Sequence, residues 1–283
     1  MASLKEIRKR IESVKTTQKT TSAMKMVSAA KLKRAQDNFQ EATPYASKLK
    51  RVVSVLSANF SEEEHPLFAR SEGERTAVIL ITSDRGLCGG FNSNLCKALL
   101  KELEEQKIDA AHFTIIGRKG AEYFKRTDHT ILQNYTSIPV TEQSVTVKTI
   151  VKDHIEKFEK NEIDRVYLAY SHFVSVLTQD PAIQTLLPIE PLPSEELDER
   201  EILFEPSAEK ILDTLLKKYV ENQVAVAWLD SIAGEHGARM TSMDSATKNA
   251  GELIDKLQLY YNRTRQAAIT SELIEIISGA ESL

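Results

Sequence analysis

The sequence predicts an α/β protein in which two long terminal helices pair as an antiparallel coiled coil around an inserted domain. Three observations carry this reading: a glycine-free first region with apolar residues at alternating steps of three and four, a centre alternating strand-like and helix-like runs, and a proline-free helical last region. The implied divisions are residues 1–59 for the first coiled-coil helix, 75–206 for a globular α/β foot domain and 207–283 for the second helix.

In the first region, Leu4, Ile7, Ile11 and Val14, then Leu32, Ala35 and Phe39, fall on one helical seam. The same register places Gln18, Thr21, Lys25 and Ser28 on that seam, so its middle is polar and not built for tight burial against one fixed partner. Residues 1–36 hold ten Lys or Arg against only Glu6 and Glu12, although the whole chain has a formal net charge of −4. This end meets something acidic or presents a solvated basic face. Residues 1–38 contain no aromatic side chain, which argues against a nucleic-acid footprint. The bulky apolar anchors of a membrane-surface helix are missing too. An acidic protein partner is the favoured functional reading.

The centre begins with TAVILIT at Thr76 to Thr82 and continues through LCKALLKELEEQ, AHFTIIG, RKGAEYFKR and HTILQNY. A helix in SVTVKTIVKDHIEKFEK, a strand in DRVYLAYSHF and the apolar segment AIQTLLPI follow. Strands alternating with helices predict a mostly parallel sheet covered on both faces, a Rossmann-like arrangement. The run PIEPLPSEELDEREILFEP, with four prolines and seven acidic residues, predicts an exposed link out of this domain.

The last region opens on an N-cap-like SAEK at Ser207 and repeats apolar residues from Ile211 and Leu215 through Met240, Met243, Ile254, Leu257 and Tyr261 to Leu273 and Ile276. Gly234, Gly237 and Gly251 are weak points, each costing about 1 kcal/mol relative to alanine in a helix interior. As single helices the two end regions would be about 85 and 110 Å long, well beyond a domain about 40 Å wide. Their apolar faces are satisfied only by pairing with each other.

The stretch ITSDRGLCGGFNSN, Ile81 to Asn94, sits where α/β folds hold phosphates, between a strand and a helix. Its glycines, Gly86, Gly89 and Gly90, have neither the dinucleotide nor the P-loop spacing. The favoured reading is a tight turn whose glycines permit positive φ and close packing, with Asp84 and Arg85 as local hydrogen-bonding partners. A stand-alone nucleotide-binding α/β protein remains the alternative. Cys88 has no base nearby in sequence and reads as a small packed thiol. Two cysteines and six histidines, without metal-ligand spacing, give no disulfide framework, no metal site and no catalytic set. Met24, Met26, Met240 and Met243 read as seam fillers. No run reaches the about 20 apolar residues of a membrane-spanning helix.

At the two ends the residues are specific. SLKEIRKRIESVKTTQKTTSAMKMVSAAKLKRAQ and ARMTSMDSATKNAGELI…YNRTRQAAITSELIEIISGA resemble the terminal helices of the gamma subunits of F-type ATP synthases, and ITSDRGLCGGFNSN resembles that family's central-domain turn. The resemblance spans the chain in order. It implies a central rotor shaft: an antiparallel coiled coil, one copy per hexamer, set among alpha and beta subunits, with a foot that meets the epsilon subunit and the membrane c-ring. It implies no catalysis by the chain itself, no cofactor and no nucleic-acid partner, since the nucleotide sites belong to the hexamer. By position it also implies contacts with the hexamer at Met24, Lys25, Arg239, Gln266, Thr270, Glu272 and Glu275. Lys25 and Arg239 would meet carboxylates of an acidic mobile loop, while the polar seam would suit a shaft sliding past changing neighbours. No cysteine follows Cys96, so the thiol switch of photosynthetic members is not expected. Without an organelle transit peptide, the expected place is the cytoplasmic face of a bacterial plasma membrane, as a peripheral component.

Overall fold

The computed structural model describes residues 3–57, 65–69, 73, 75–189 and 208–281. Along the chain these form α1 (Leu4–Ser57), β1 (Thr76–Ile81), α2 (Phe91–Glu105), β2 (Ala111–Ile116), α3 (Arg118–Phe124), β3 (Thr130–Tyr135), a short 3-10 turn (Val140–Glu142), α4 (Gln143–Glu159), β4 (Arg165–Phe173), β5 (Gln179–Leu187) and α5 (Ala208–Glu281). Residues 190–206 of the acidic, proline-rich link and the Ser207 cap expected from sequence lie outside the described residues. Two compact units result, one of Met1–Ser28 with Arg239–Leu283 and one of Ala29–Ala238.

The larger unit is built on a five-stranded sheet in the order β3-β2-β1-β4-β5. β3, β2, β1 and β4 run parallel, while β5 is antiparallel to β4. Every residue of TAVILI in β1 is buried, as expected for a strand covered on both faces. Because side chains alternate along a strand, Ala77, Ile79 and Ile81 join one core with Val147, Ile150 and Val151 of α4, Leu49 and Val53 of α1, and Leu212 to Trp228 of α5. Val78 and Leu80 join the opposite core with Leu95 and Leu99 of α2 and Ala121 and Phe124 of α3. Pro181, in the apolar run AIQTLLPI's approach, lies inside β5. An edge strand accepts a proline because its outward N–H has no ladder partner to lose.

In the smaller unit, α1 starts on a reciprocal cap that its S-x-x-E sequence encodes. Glu6 N–H donates to Ser3 Oγ at 3.3 Å, and Ser3 N–H donates to Glu6 Oε2 at 2.9 Å. Ile7 and Ile11 are buried and Val14 half-buried, on the seam that the three-four spacing predicts. Facing residues then show the direction of pairing: Gln18 lies against Gly251, Thr21 against Thr247, and Lys25 against Asp244. One number rises as the other falls, so the helices are antiparallel.

Two details differ from what the sequence predicts. Met26 is not a seam filler but 64% exposed, because it falls between the seam positions Lys25 and Ser28. Leu273 and Ile276 are exposed, since in this register α1 runs out near residue 265 of α5 and, among the described residues, no other helix pairs with the last turns. In the polar middle of the seam, Thr21 and Lys25 each engage a side chain of α5.

Candidate functional site

Two places compete: the glycine-bearing turn after β1 and the polar stretch of the helix pair. At the turn, Gly89 has positive φ (57°), but so does Leu87 (63°), while Gly86 and Gly90 do not. The turn is held by side chains from within it. Ser83 N–H donates to Asn92 Oδ1 at 2.9 Å, Ser83 Oγ donates to the Arg85 carbonyl at 2.7 Å, and Asn92 Nδ2 donates to Cys88 Sγ at 3.4 Å. Cys88 is buried with Phe91 and Ala238, as a packed thiol.

Asp84 reaches further than local partners. Its carboxylate accepts the N–H of Arg118, the first residue of α3, at 3.1 Å, and the N–H of Ser137 at 2.9 Å. Those N–H groups at the carboxyl ends of β2 and β3 are what a bound phosphate would use. The chain's own anion occupies them, so a second anion there would meet like charge. Gly117 closes the same corner: with φ of 101°, a Cβ on it would lie 2.2 Å from the Thr82 carbonyl oxygen.

At the opposite, amino end of β1 and β2, a surface hollow of about 380 Å³ is lined by Arg75, Thr76, Lys107, Ile108, Asp109, Ala110 and His112. Its one guanidinium is committed: Arg75 grips the Asp164 carboxylate through Nε at 2.8 Å and Nη2 at 2.9 Å. That pair closes the start of β1 onto the start of β4, with Asp164 buried. Among the described residues no group of three or more His, Cys, Asp and Glu could hold a metal ion. Burial pushes the Cys96 thiol up to about 12, which makes it inert at neutral pH. His154 is buried with Nδ1 2.8 Å from the Ile150 carbonyl and Nε2 3.3 Å from Thr114 Oγ1. A carbonyl only accepts, so the proton sits on Nδ1 and Nε2 accepts from the hydroxyl. This neutral ring is satisfied, and burial lowers its pKa.

The helix pair brings together only part of the expected contact set. Met24 is half-buried. Lys25 Nζ lies 2.6 Å from Asp244 Oδ1, with side chains 45% and 31% exposed. Asp244 Oδ2 is also 2.8 Å from Lys248 Nζ, one turn along α5. Hydrogen bonds from Lys248 and then Lys25 hold the Asp244 carboxyl down at about 2. Arg239 is buried, at 8% exposed. Gln266, Thr270 and Glu272 are exposed on the last turns of α5, where Thr270 Oγ1 donates to the Gln266 carbonyl at 2.9 Å. Glu275 is within α5, but its side chain lies outside the described ones. Ile269, Leu273, Ile274, Ile276 and Ile277 are exposed around these polar residues.

Asp244 and Thr247 were missed by the sequence reading. Their signal was present: steps of four and three along Gly251, Thr247 and Asp244 answer the steps of three and four along Gln18, Thr21 and Lys25. No helix among the described residues is long and apolar enough to cross a membrane.

Comparison with known proteins agrees over the full length. A family model described as ATP synthase matches residues 3–283. The chain is 48% identical over 287 residues to the ATP synthase gamma chain of Trichlorobacter lovleyi, covering 100% of this chain and 99% of that one. It is 49% identical over 286 residues to that of Geotalea uraniireducens, with 100% and 99% covered. A solved chain from the Euglena gracilis mitochondrial ATP synthase, in an OSCP/F1/c-ring assembly in rotational state 3, shares the fold with a TM-score of 0.67. That likeness has 17% identity and covers 99% of this chain and 94% of the other.

Proposed function

The chain belongs to the gamma-chain family of F-type ATP synthase, the central rotor stalk, and from that premise we propose how it works and what it meets. It is the shaft that links ion-driven rotation of a membrane c-ring to ATP synthesis or hydrolysis at sites on an alpha/beta hexamer. It does no catalysis itself. A shaft without threefold symmetry presents a different face to each of three chemically identical catalytic subunits, and so favours a different conformation in each. Turning it exchanges those conformations.

The observation that carries this reading is the bare end of α5. Past the reach of α1 the helix shows Ile269, Leu273, Ile274, Ile276 and Ile277 to solvent, interleaved with Gln266, Thr270 and Glu272. Contiguous apolar surface of this kind belongs to an interface. The hexamer's contacts are Met24, Gln266, Thr270, Glu272 and Glu275, with Lys25 and Arg239 adjoining by position. The functional divisions are the helices 1–59 and 207–283 and the foot 75–206, and the foot takes the epsilon subunit and the c-ring. The chain is then a peripheral component at the cytoplasmic face of the plasma membrane.

Co-expression with the same organism's alpha and beta subunits tests the proposal through the stoichiometry and MgATP hydrolysis of the purified complex. One copy per hexamer, with hydrolysis depending on its presence, is the expected result. A hexamer that excludes the chain, or is equally active without it, would refute it.

A further inference from the structure

The polar middle of the helix pair is held by directional contacts. Three successive layers of this seam are polar or small on both sides: Gln18 with Gly251, Thr21 with Thr247, and Lys25 with Asp244. Apolar seams grip by interdigitation, and an apolar knob finds another hole one turn away, about 5.4 Å along the axis. The facing residues at these three layers are not apolar, although Met243 and Ala250 are buried beside them on α5. What fixes the helices is directional: a hydroxyl pair at 2.8 Å between Thr21 and Thr247, and an ion pair at 2.6 Å between Lys25 and Asp244. At the remaining layer the helices also lie close, with Gln18 Nε2 3.1 Å from where a Cβ on Gly251 would sit. A slip of one turn would break both hydrogen-bonded layers together, because neither reaches across 5 Å.

We propose that Lys25, Asp244 and Lys248, with the Thr21 and Thr247 hydroxyls, form a register pin that locks α5 axially against α1, and that Lys25 serves as this positioning residue rather than as a partner for a carboxylate of the hexamer. Asp244 is the hub. One carboxylate oxygen takes Lys25 across the pair and the other takes Lys248 on its own helix, so the anion is held from two sides. A polar layer in a coiled coil specifies register at a cost in stability. For a shaft the exchange is favourable, because torque applied to one helix reaches the other only if they cannot slide. The pin rests on the rotor reading above, and the test separates the two.

The experiment uses the complete complex with alpha and beta subunits and compares four forms: the natural chain, Lys25→Gln, Asp244→Asn, and the inverted triad Lys25→Glu with Asp244→Lys and Lys248→Asp. Complex formation is scored first, then MgATP hydrolysis at low and at 0.5 M salt. If the natural chain neither assembles nor supports hydrolysis, the rotor reading fails. Given assembly, the pin predicts that each single variant lowers turnover by about threefold at low salt, the scale of an exposed ion pair, with less difference at high salt. It further predicts that the inverted triad recovers most of the loss. A Lys25 that instead met the hexamer would give loss in Lys25→Gln, little in Asp244→Asn and no recovery on inversion. Either that pattern or equal turnover in all four forms would overturn the pin. A Cys pair replacing Val14 and Ile254 reads register directly: oxidation should cross-link it faster in the natural background than in Asp244→Asn, and equal rates would count against the pin.

Discussion

Single side chains decide what the glycine-bearing turn and the buried histidine can do. Asp84 ties the turn to the start of α3 and to Ser137, so Asp84→Ala should cost about 1–2 kcal/mol of stability, the range of charge-assisted hydrogen bonds at a half-exposed group. A chemical denaturation midpoint measures this, and no change would mean that water replaces the carboxylate. For His154 the folded pKa is lowered from its ordinary value by burial. The unfolded chain therefore binds the proton more readily, and the stability this group contributes is present above about pH 6.5 and lost as pH falls. The melting temperature should drop between pH 7 and 5, with a shallower drop in His154→Gln. Asp244 behaves likewise at lower pH: its carboxyl is depressed to about 2. Its contribution is complete above about pH 3.9 and disappears as pH falls through the folded value. A further loss of helix-pair stability between those two pH values, absent in Asp244→Asn, is the expected signature.

At the scale of elements, two glycines of similar appearance have opposite roles. Gly117 leads from β2 into α3 with positive φ and its would-be Cβ inside the Thr82 carbonyl. Gly117→Ala should destabilise by more than about 2 kcal/mol, as both backbone strain and a clash with main chain act. Gly251 lies in the interior of α5, and its would-be Cβ meets only the side-chain amide of Gln18, at 3.1 Å, which can turn aside. There Gly251→Ala should gain about 0.5–1 kcal/mol from helix propensity. Calorimetry of both variants distinguishes a required glycine from a tolerated one. Gly251 is recognisable in the sequence as a glycine inside a long helical run, whereas the positive φ of Gly117 leaves no trace in composition.

For the whole molecule, the shaft and the sheet were legible from periodicity. The three-four spacing of Leu4, Ile7, Ile11 and Val14 and the all-apolar TAVILI are local signals, and local chemistry fulfils them as α1 and β1. The isolated chain should bind no MgATP in equilibrium dialysis at millimolar nucleotide, because Asp84 already sits on the N–H groups a phosphate needs; stoichiometric binding would reopen the nucleotide reading. What the sequence determined by itself was the order of helices and strands, the polarity of residues 18 to 28, and, through its end motifs, the family. Tertiary structure alone decided which residue answers which: that Lys25 meets Asp244, that Thr21 meets Thr247, and that Asp84 reaches Arg118 and Ser137. The physical reason is range. Propensity and amphipathic spacing act within a few residues, whereas an ion pair between positions 25 and 244 exists only once folding has brought the two ends of the chain side by side.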